Sequence, residues 1–290
     1  MINSKIILGT AQFGMDYGIN NNSGKITKLK AFDILNYAFL NGVKELDTAS
    51  SYGDSEKVIG EYLNSHPKNG FIITTKISDI NVSLEKQVYN SLENLKIEKI
   101  DKLLFHSYDV YKHFEKEVKD FHQKFKGELF DELGVSIYTN CEIKKLIYDP
   151  FINRIQSPFN ILDNYSKRGT YFEKLYLNEK KVDVRSVFLQ GIFFKDISDL
   201  QYNLRPLKKY LDFIRELSNE FNIDINSIAF GYLNSFDFID RIIFGVDSIE
   251  QLKKNLKSLS IKLPKDLLKK INTIEIKEEE LLNPSLWRIL

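Results

Sequence analysis

A carboxylate, a phenol, an ammonium and an imidazole stand at comparable points of three successive apolar runs. Asp47 lies near the end of Val43–Ala49, with Tyr52 on the loop after it; Lys76 follows Phe71-Ile72-Ile73-Thr74-Thr75, and His106 follows Lys102-Leu103-Leu104-Phe105. A free phenol has a pKa of ~10, too high to exchange protons readily near neutrality. An ammonium beside it favours phenolate, and a carboxylate fixes and balances the ammonium. An imidazole can polarise or orient a carbonyl oxygen. Together these groups can protonate an alkoxide as hydride arrives at carbon. None of them supplies hydride, so the chemistry requires an organic redox cofactor. Singly, each has a structural explanation (Asp47 as a cap, Lys76 as a phosphate anchor, His106 as a hydrogen-bonded core residue), so the weight rests on their joint placement.

The elements that must position them alternate along the chain. Candidate strands are Lys5–Leu8, Val43–Ala49, Phe71–Ile77, Ile100–Ser107, Phe130–Tyr138, Arg154–Phe159, Asp183–Leu189 and Asp240–Val246. Helical patterns lie between them at Lys28–Asn41, Glu56–Asn64, Leu84–Leu95, Phe114–Phe125 and Gln251–Leu259, with further helices at Asn226–Ser235 and Lys265–Ile274. In the first, Leu29, Phe32, Leu35, Ala38 and Phe39 share one helix face, and Asn41-Gly42 stops it. Eight such units in 290 residues predict a single-domain α/β chain folded as a (β/α)₈ TIM barrel over 1–290. An open doubly wound sheet is the runner-up, but G-x-G-x-x-G is absent after the first strand. In a barrel, Asp47, Lys76 and His106 all reach the C-terminal rim, where such folds place their sites.

With 43% apolar residues the chain can fill a core, and 41 Lys+Arg against 40 Asp+Glu give no electrostatic reason to expect nucleic acid or an anionic membrane. No stretch approaches the ~18–20 apolar residues that span a bilayer, and Met1–Leu8 is too short an apolar run for a signal peptide. One cysteine, Cys141, excludes an intramolecular disulfide and suits a cytoplasmic location; it reads as a buried thiol at the start of a helix. Gly9-x-x-x-x-Gly14 has P-loop spacing, but Met15-Asp16 replaces the required Lys-Ser/Thr. No spacing of histidines and carboxylates suggests a metal site.

These residues carry a resemblance to the aldo-keto reductases over nearly the whole chain. It runs through Leu8-Gly9-Thr10-Ala11-Gln12-Phe13-Gly14, Leu46-Asp47-Thr48-Ala49-x-x-Tyr52-Gly53-x-Ser55-Glu56, Thr74-Thr75-Lys76 and Leu103-Leu104-Phe105-His106. It continues in Gly134-Val135-Ser136, Ile155-Gln156-Ser157-Pro158-Phe159-Asn160 and Gly245-Val246-Asp247-Ser248-x-Glu250-Gln251-Leu252-x-x-Asn255. The resemblance implies NAD(P)H-dependent reduction of an aldehyde or ketone, or the reverse oxidation. Tyr52 would be the general acid/base, tuned by Lys76 and Asp47, with His106 orienting the carbonyl. It further implies a nucleotide shell of Gly9, Thr10 and Asp47, with Ser136 and Gln156 at the nicotinamide amide. Arg185, Ser186, Leu189 and Gly191 would wrap the pyrophosphate, and Gly245, Val246, Asp247, Ser248, Gln251 and Asn255 would hold the adenosine.

The chain departs from the family pattern at several of these positions. Ile137 stands where many members have Asn, and Arg185 where many stack an aromatic ring on the nicotinamide. Gly245 and Gln251 occupy the positions of a Lys and an Arg that clamp the 2′-phosphate, with Asp247 between them. NADP(H) is therefore the family default and NAD(H) the alternative. Phe13, Tyr17, Tyr52, His106 and Trp287 are candidate walls of a pocket for a small-molecule carbonyl substrate. Stretches 184–191 and 282–287 resemble bacterial members linked with surface-polysaccharide or sugar metabolism, which points to a sugar-derived carbonyl. A cofactor-loaded regulatory barrel and a barrel isomerase or epimerase are the competing readings.

Overall fold

A computed structural model describes residues 5–19 and 24–287. The part of the leader argument that concerns residues 1–4 lies outside them. Eight parallel strands close a barrel in chain order: β1 Ile6–Gly9, β2 Glu45–Asp47, β3 Ile72–Ile77, β4 Ile100–Phe105, β5 Phe130–Ser136, β6 Arg154–Pro158, β7 Lys181–Arg185 and β8 Arg241–Gly245. β1 pairs with both β2 and β8, which seals the ring. The strands read as apolar runs because such a sheet is covered on both faces, by the interior packing and by the surrounding helices.

The helical layer matches the expected (β/α)₈ alternation with shifted ends. The expected helix 114–125 begins six residues earlier, at Tyr108, because the Ser107 side chain accepts from the Val110 N–H and caps the first turn. Helix Lys28–Leu40 ends at Asn41 as expected, but it buries Ala31, Ile34, Leu35 and Ala38, while Leu29 is 75% exposed. Its inward stripe follows the i, i+3, i+4, i+7 rule from a starting point one turn-fraction away from the expected one. The seventh strand ends at Arg185, not Leu189. Ser186, Leu189 and Gln190 all take positive φ, so the chain turns out of the sheet there despite the apolar Val187-Phe188-Leu189. Cys141 is exposed rather than buried, on helix Asn140–Leu146, which Thr139 and Glu142 close with a capping box.

Charge fills the barrel's N-terminal mouth. Glu45, Lys102, Arg154 and Arg241 come from β2, β4, β6 and β8, one residue from every second strand. Lys102 and Arg241 both reach Glu45, at 2.5 and 2.7 Å. Those partners sit on non-adjacent strands, so the contacts run through the barrel interior. Arg154 binds Glu132, Asp183 and Asp240 at 2.6–2.8 Å. Among the described residues no helix is long and apolar enough to cross a membrane.

Candidate active site

At the opposite, C-terminal mouth, the ladder continues past β2 through Thr48 N–H to Thr74 O (2.8 Å) and Ser50 N–H to Lys76 O (3.3 Å). The chain then turns tightly, with Tyr52 N–H on Ala49 O and Ser55 N–H on Tyr52 O, each 3.0 Å. Two glycines lock this turn against the first loop. A Cβ on Gly14 would lie 1.7 Å from the Tyr52 carbonyl oxygen, and one on Gly53, at φ +53°, would lie 2.3 Å from the Gly14 oxygen. Only hydrogen fits on either side of that contact. Beneath it, buried Ser55 Oγ donates toward Thr10 and accepts from Thr48 Oγ1 (2.9 Å), and Thr10 Oγ1 donates to Asp47 O (2.9 Å). The loop carrying Tyr52 is thus fixed by glycine packing above and hydroxyl bonds below.

The four expected side chains meet here. Lys76 Nζ binds Asp47 Oδ1 at 2.5 Å and Thr48 O at 2.8 Å, and lies 5.1 Å from the Tyr52 ring centroid. Asp47 Oδ2 accepts from Gln156 Nε2 at 2.7 Å, a bond from β6 to β2 across the mouth. The Tyr52 and His106 rings meet edge to face, 5.5 Å apart, and His106 Nδ1 shares a hydrogen bond with Ser51 Oγ at 2.9 Å. His106 is held down to about 3, first by burial and then by the charges of Lys76 and Arg185, so the ring is neutral at working pH. In the tautomer whose Nδ1 accepts from Ser51, Nε2 carries the proton and can donate.

The expected tuning of Tyr52 by Lys76 is not what its surroundings produce. Burial, first, and the Asp47 carboxylate push the phenol above its ordinary value, and Arg185 alone among the main influences pulls it down. Lys76 itself is lowered by burial against the pull of Asp47, with which its charge is already matched. The resting site therefore holds a neutral phenol, the donor form.

A cleft of ≈ 450 Å³ runs from Asp47 and Tyr52 to Gln251 and Asn255. Of the expected nucleotide shell, Gly9, Thr10, Asp47, Arg185, Ser186, Gly191, Gly245, Asp247, Gln251 and Asn255 line it. Ser136 and Gln156 lie opposite each other in register, buried behind the rim, while Leu189 and Val246 are packed in the core. Ser248 caps helix Ile249–Ser258, accepting from the Gln251 N–H. A further mark is Asp247 Oδ1, a buried oxygen with no hydrogen-bond partner beside the expected adenosine end.

Three expected pocket walls are not on the cleft lining: His106 lies behind Tyr52, ring to ring, and the other two are elsewhere. Phe13 is 1% exposed and packs in the core, because its short helix Ala11–Gly14 turns that face inward. Trp287 lines a separate hollow with Tyr202, Leu204 and Leu281, its indole N–H donating to Glu280 O at 3.0 Å. Tyr17 does line the cleft, and so do Gln12, Phe188, Gln190, Phe194 and Asn226, which the sequence reading did not select. Phe188, Gln190 and Phe194 were within reach, since they follow the strand end already singled out.

Comparison with known proteins gives the family and the fold. The profile of the Aldo/keto reductase family matches residues 5–276. D-arabinose 1-dehydrogenase of Saccharomyces cerevisiae is 23% identical over 288 residues, covering 89% of this chain and 83% of that protein. An aldo-keto reductase from Bacillus halodurans, in its holo form, superposes with a TM-score of 0.73 at 18% identity, over 94% of each chain. A thermostable aldo-keto reductase in complex with the inhibitor epalrestat superposes at 0.68 and 19% identity, over 93% of this chain and 95% of that one.

Proposed function

The chain belongs to the aldo/keto reductase family, whose members reduce small-molecule carbonyl compounds with NAD(P)H, and from that premise we propose that it reduces a sugar-derived aldehyde or ketone with Tyr52 as the proton donor. The observation that carries this reading is the convergence of Tyr52, Lys76, Asp47 and neutral His106 at the end of a cleft that Tyr52 and Asp47 themselves line. When bound, the nicotinamide supplies the hydride. His106 Nε2 donates to the carbonyl oxygen and orients it, and Tyr52 delivers its proton to the alkoxide that forms. Lys76, tied to Asp47 and Thr48, stands ready to stabilise the phenolate left behind. Gln156 keeps Asp47 turned toward Lys76. The sugar assignment draws on the likeness to D-arabinose 1-dehydrogenase and on the C-terminal sequence pattern.

At the adenosine end, Gly245 and Gln251 stand at the positions of a basic pair that would grip a 2′-phosphate, with Asp247 between them, and Lys254 is the one lysine among the described residues that lines the cleft. An unpartnered buried carboxylate oxygen suits a ribose 2′-hydroxyl and repels a phosphate. NADH is accordingly the better-bound nucleotide in this reading.

The test is Tyr52→Phe, followed by NADH and NADPH oxidation over a panel of aldoses, ketoses and simple aldehydes. Turnover should fall about 10²–10⁴-fold with nucleotide affinity, read from fluorescence, unchanged. Near-normal turnover removes Tyr52 from the role. Tight nucleotide binding with no oxidation by the wild type points instead to a regulatory barrel, and activity without nicotinamide to an isomerase.

A further inference from the structure

Arg154, Arg168, Arg215 and Arg241 each have a carboxylate within 4 Å. Arg185 lines the cleft, half-buried, and forms no ion pair among the described residues. Its guanidinium donates to Ile137 O at 3.2 Å and Ser186 Oγ at 3.4 Å and stacks on the Tyr138 ring at 4.3 Å. Those are neutral partners, and they leave donor capacity on a group with five N–H bonds. The other charged groups at this mouth are already balanced, Lys76 by Asp47 and Arg168, which donates to Tyr138 O, by Asp163. A guanidinium withdrawn from water without a counter-charge is costly unless something anionic completes it.

The direction of the side chain separates it from the nucleotide's phosphates. Arg185 ends β7, and the adenosine end lies on its β8 side, at Gly245, Asp247 and Gln251. The guanidinium reaches the other way, past β6, to Ile137 and Tyr138 beyond the end of β5. That is the side of His106. Its charge acts on Tyr52, Lys76 and His106 alike, which places it within range of the reacting oxygen. Tyr17, also on the cleft, keeps its hydroxyl proton, because burial pushes its pKa up to about 12.

We propose that Arg185 is the receptor for an anionic group on the substrate, so that the carbonyl compound reduced at Tyr52 carries a carboxylate or a phosphate. Arg185 supplies paired N–H donors to that group, a geometry matched to planar and tetrahedral oxyanions alike. The proposal rests on the carbonyl-reductase reading of the site and adds the substrate's charge.

Size-matched pairs test it: 4-oxobutanoate against butanal, and glyceraldehyde 3-phosphate against glyceraldehyde, each with the holoenzyme. The wild type should favour the anionic member of at least one pair in kcat/KM, chiefly through KM, and the preferred pair identifies carboxylate or phosphate. Arg185→Gln should lower the anionic-to-neutral ratio about 10- to 100-fold, the worth of charge-assisted hydrogen bonds. Calorimetric titration with the matching product, 4-hydroxybutanoate or glycerol 3-phosphate, should show the same loss of affinity without turnover. Wild-type preference for both neutral members overturns the proposal while leaving carbonyl reduction intact. An unchanged ratio in Arg185→Gln, or a weakened nucleotide Kd in its place, overturns it too by returning Arg185 to the cofactor shell. Failure to reduce any member of either pair counts against both.

Discussion

Glu45, Lys102, Arg154 and Arg241 at the N-terminal mouth of the barrel, and Asp47, Lys76, Gln156 and Arg185 at its C-terminal mouth, both bring charge into a ring of apolar strands. At the lower end every one of these cations meets carboxylate, and Arg154 meets three. At the upper end Lys76 is matched by Asp47, but Arg185 is not matched, and the neutral imidazole of His106 and the phenol of Tyr52 stand beside it. The lower layer pairs all of its cations and is largely buried, which suits holding strands in register. The upper one opens on a cleft and keeps groups whose partners must come from outside. Pairing, more than the presence of charge, divides architecture from chemistry in this barrel.

The largest effect should come from breaking each end in turn. Arg154→Met leaves Glu132 and buried Asp183 without their cation, while Asp240 keeps Arg241 and Lys181, a loss of about 3–5 kcal/mol in urea unfolding. Its kcat per folded molecule should stay near the wild-type value. Tyr52→Phe should do the reverse, abolishing turnover and leaving the unfolding midpoint almost in place. If Arg154→Met lost turnover in proportion to Tyr52→Phe while still folded, the division between the two ends would collapse.

Gly14→Ala comes next and joins the two readouts. Its new methyl would collide with the Tyr52 carbonyl, 1.7 Å away, and the loop must move. Overpacking of this kind costs about 1–3 kcal/mol. Because the displaced segment carries Tyr52, kcat should fall as well, while nucleotide affinity is less affected. Loss of stability with full turnover would show that the glycine contact is not what positions the phenol.

How far these regions were legible in the sequence follows the same line. The upper cluster could be read because Asp47, Lys76 and His106 each terminate an apolar run, and a parallel barrel sends such ends to one rim. The lower layer could not, since Lys102–Glu45 and Arg241–Glu45 become partners only after the ring closes and brings non-adjacent strands face to face. Its trace in the sequence is a charge at or near the start of every even strand. The end of β7 misled for a local reason: Val187-Phe188-Leu189 is apolar, but positive φ at Ser186 and Leu189 turns the chain out of the sheet. Phe13 and Trp287 look like pocket aromatics, and tertiary packing gives them other faces.

Acid should act oppositely at the two ends. His106 is held at about 3 in the fold and titrates near 6.5 when unfolded, so between those values the unfolded chain binds the extra proton. Its contribution to stability is complete above about 6.5 and is lost as pH falls. Asp183 is raised by burial to about 6, against the pull of Arg154, and one of its oxygens is unpartnered. The folded form therefore holds the extra proton between about 4 and 6, and acidification through that window adds stability. Urea midpoints at pH 6 and 4 should show His106→Asn losing less on acidification than the wild type and Asp183→Asn losing more. The differences are on the order of 1–3 kcal/mol. Parallel curves for all three proteins would remove both groups from the acid response.

The smallest predicted change lies at the far end of the cleft, where the rule about pairing applies to a single oxygen. Asp247 donates its backbone N–H to Gln251 Oε1 at 2.8 Å, and the Gln251 side chain also bonds to its carboxyl. Its carboxyl is raised by burial, and Oδ1 has no partner. A ribose 2′-hydroxyl would supply the missing donor; a 2′-phosphate would bring two negative charges against it. Asp247→Ser removes the repulsion and keeps a hydroxyl acceptor, so the NADPH-to-NADH ratio of dissociation constants should fall about tenfold, equivalent to ~1.4 kcal/mol. Lys254, already lining the cleft, would then face the phosphate unopposed. An unchanged ratio in fluorescence titrations would mean that Lys254 governs the choice of nucleotide, and that an orphaned carboxylate at this mouth need not await a ligand as the unpaired guanidinium does.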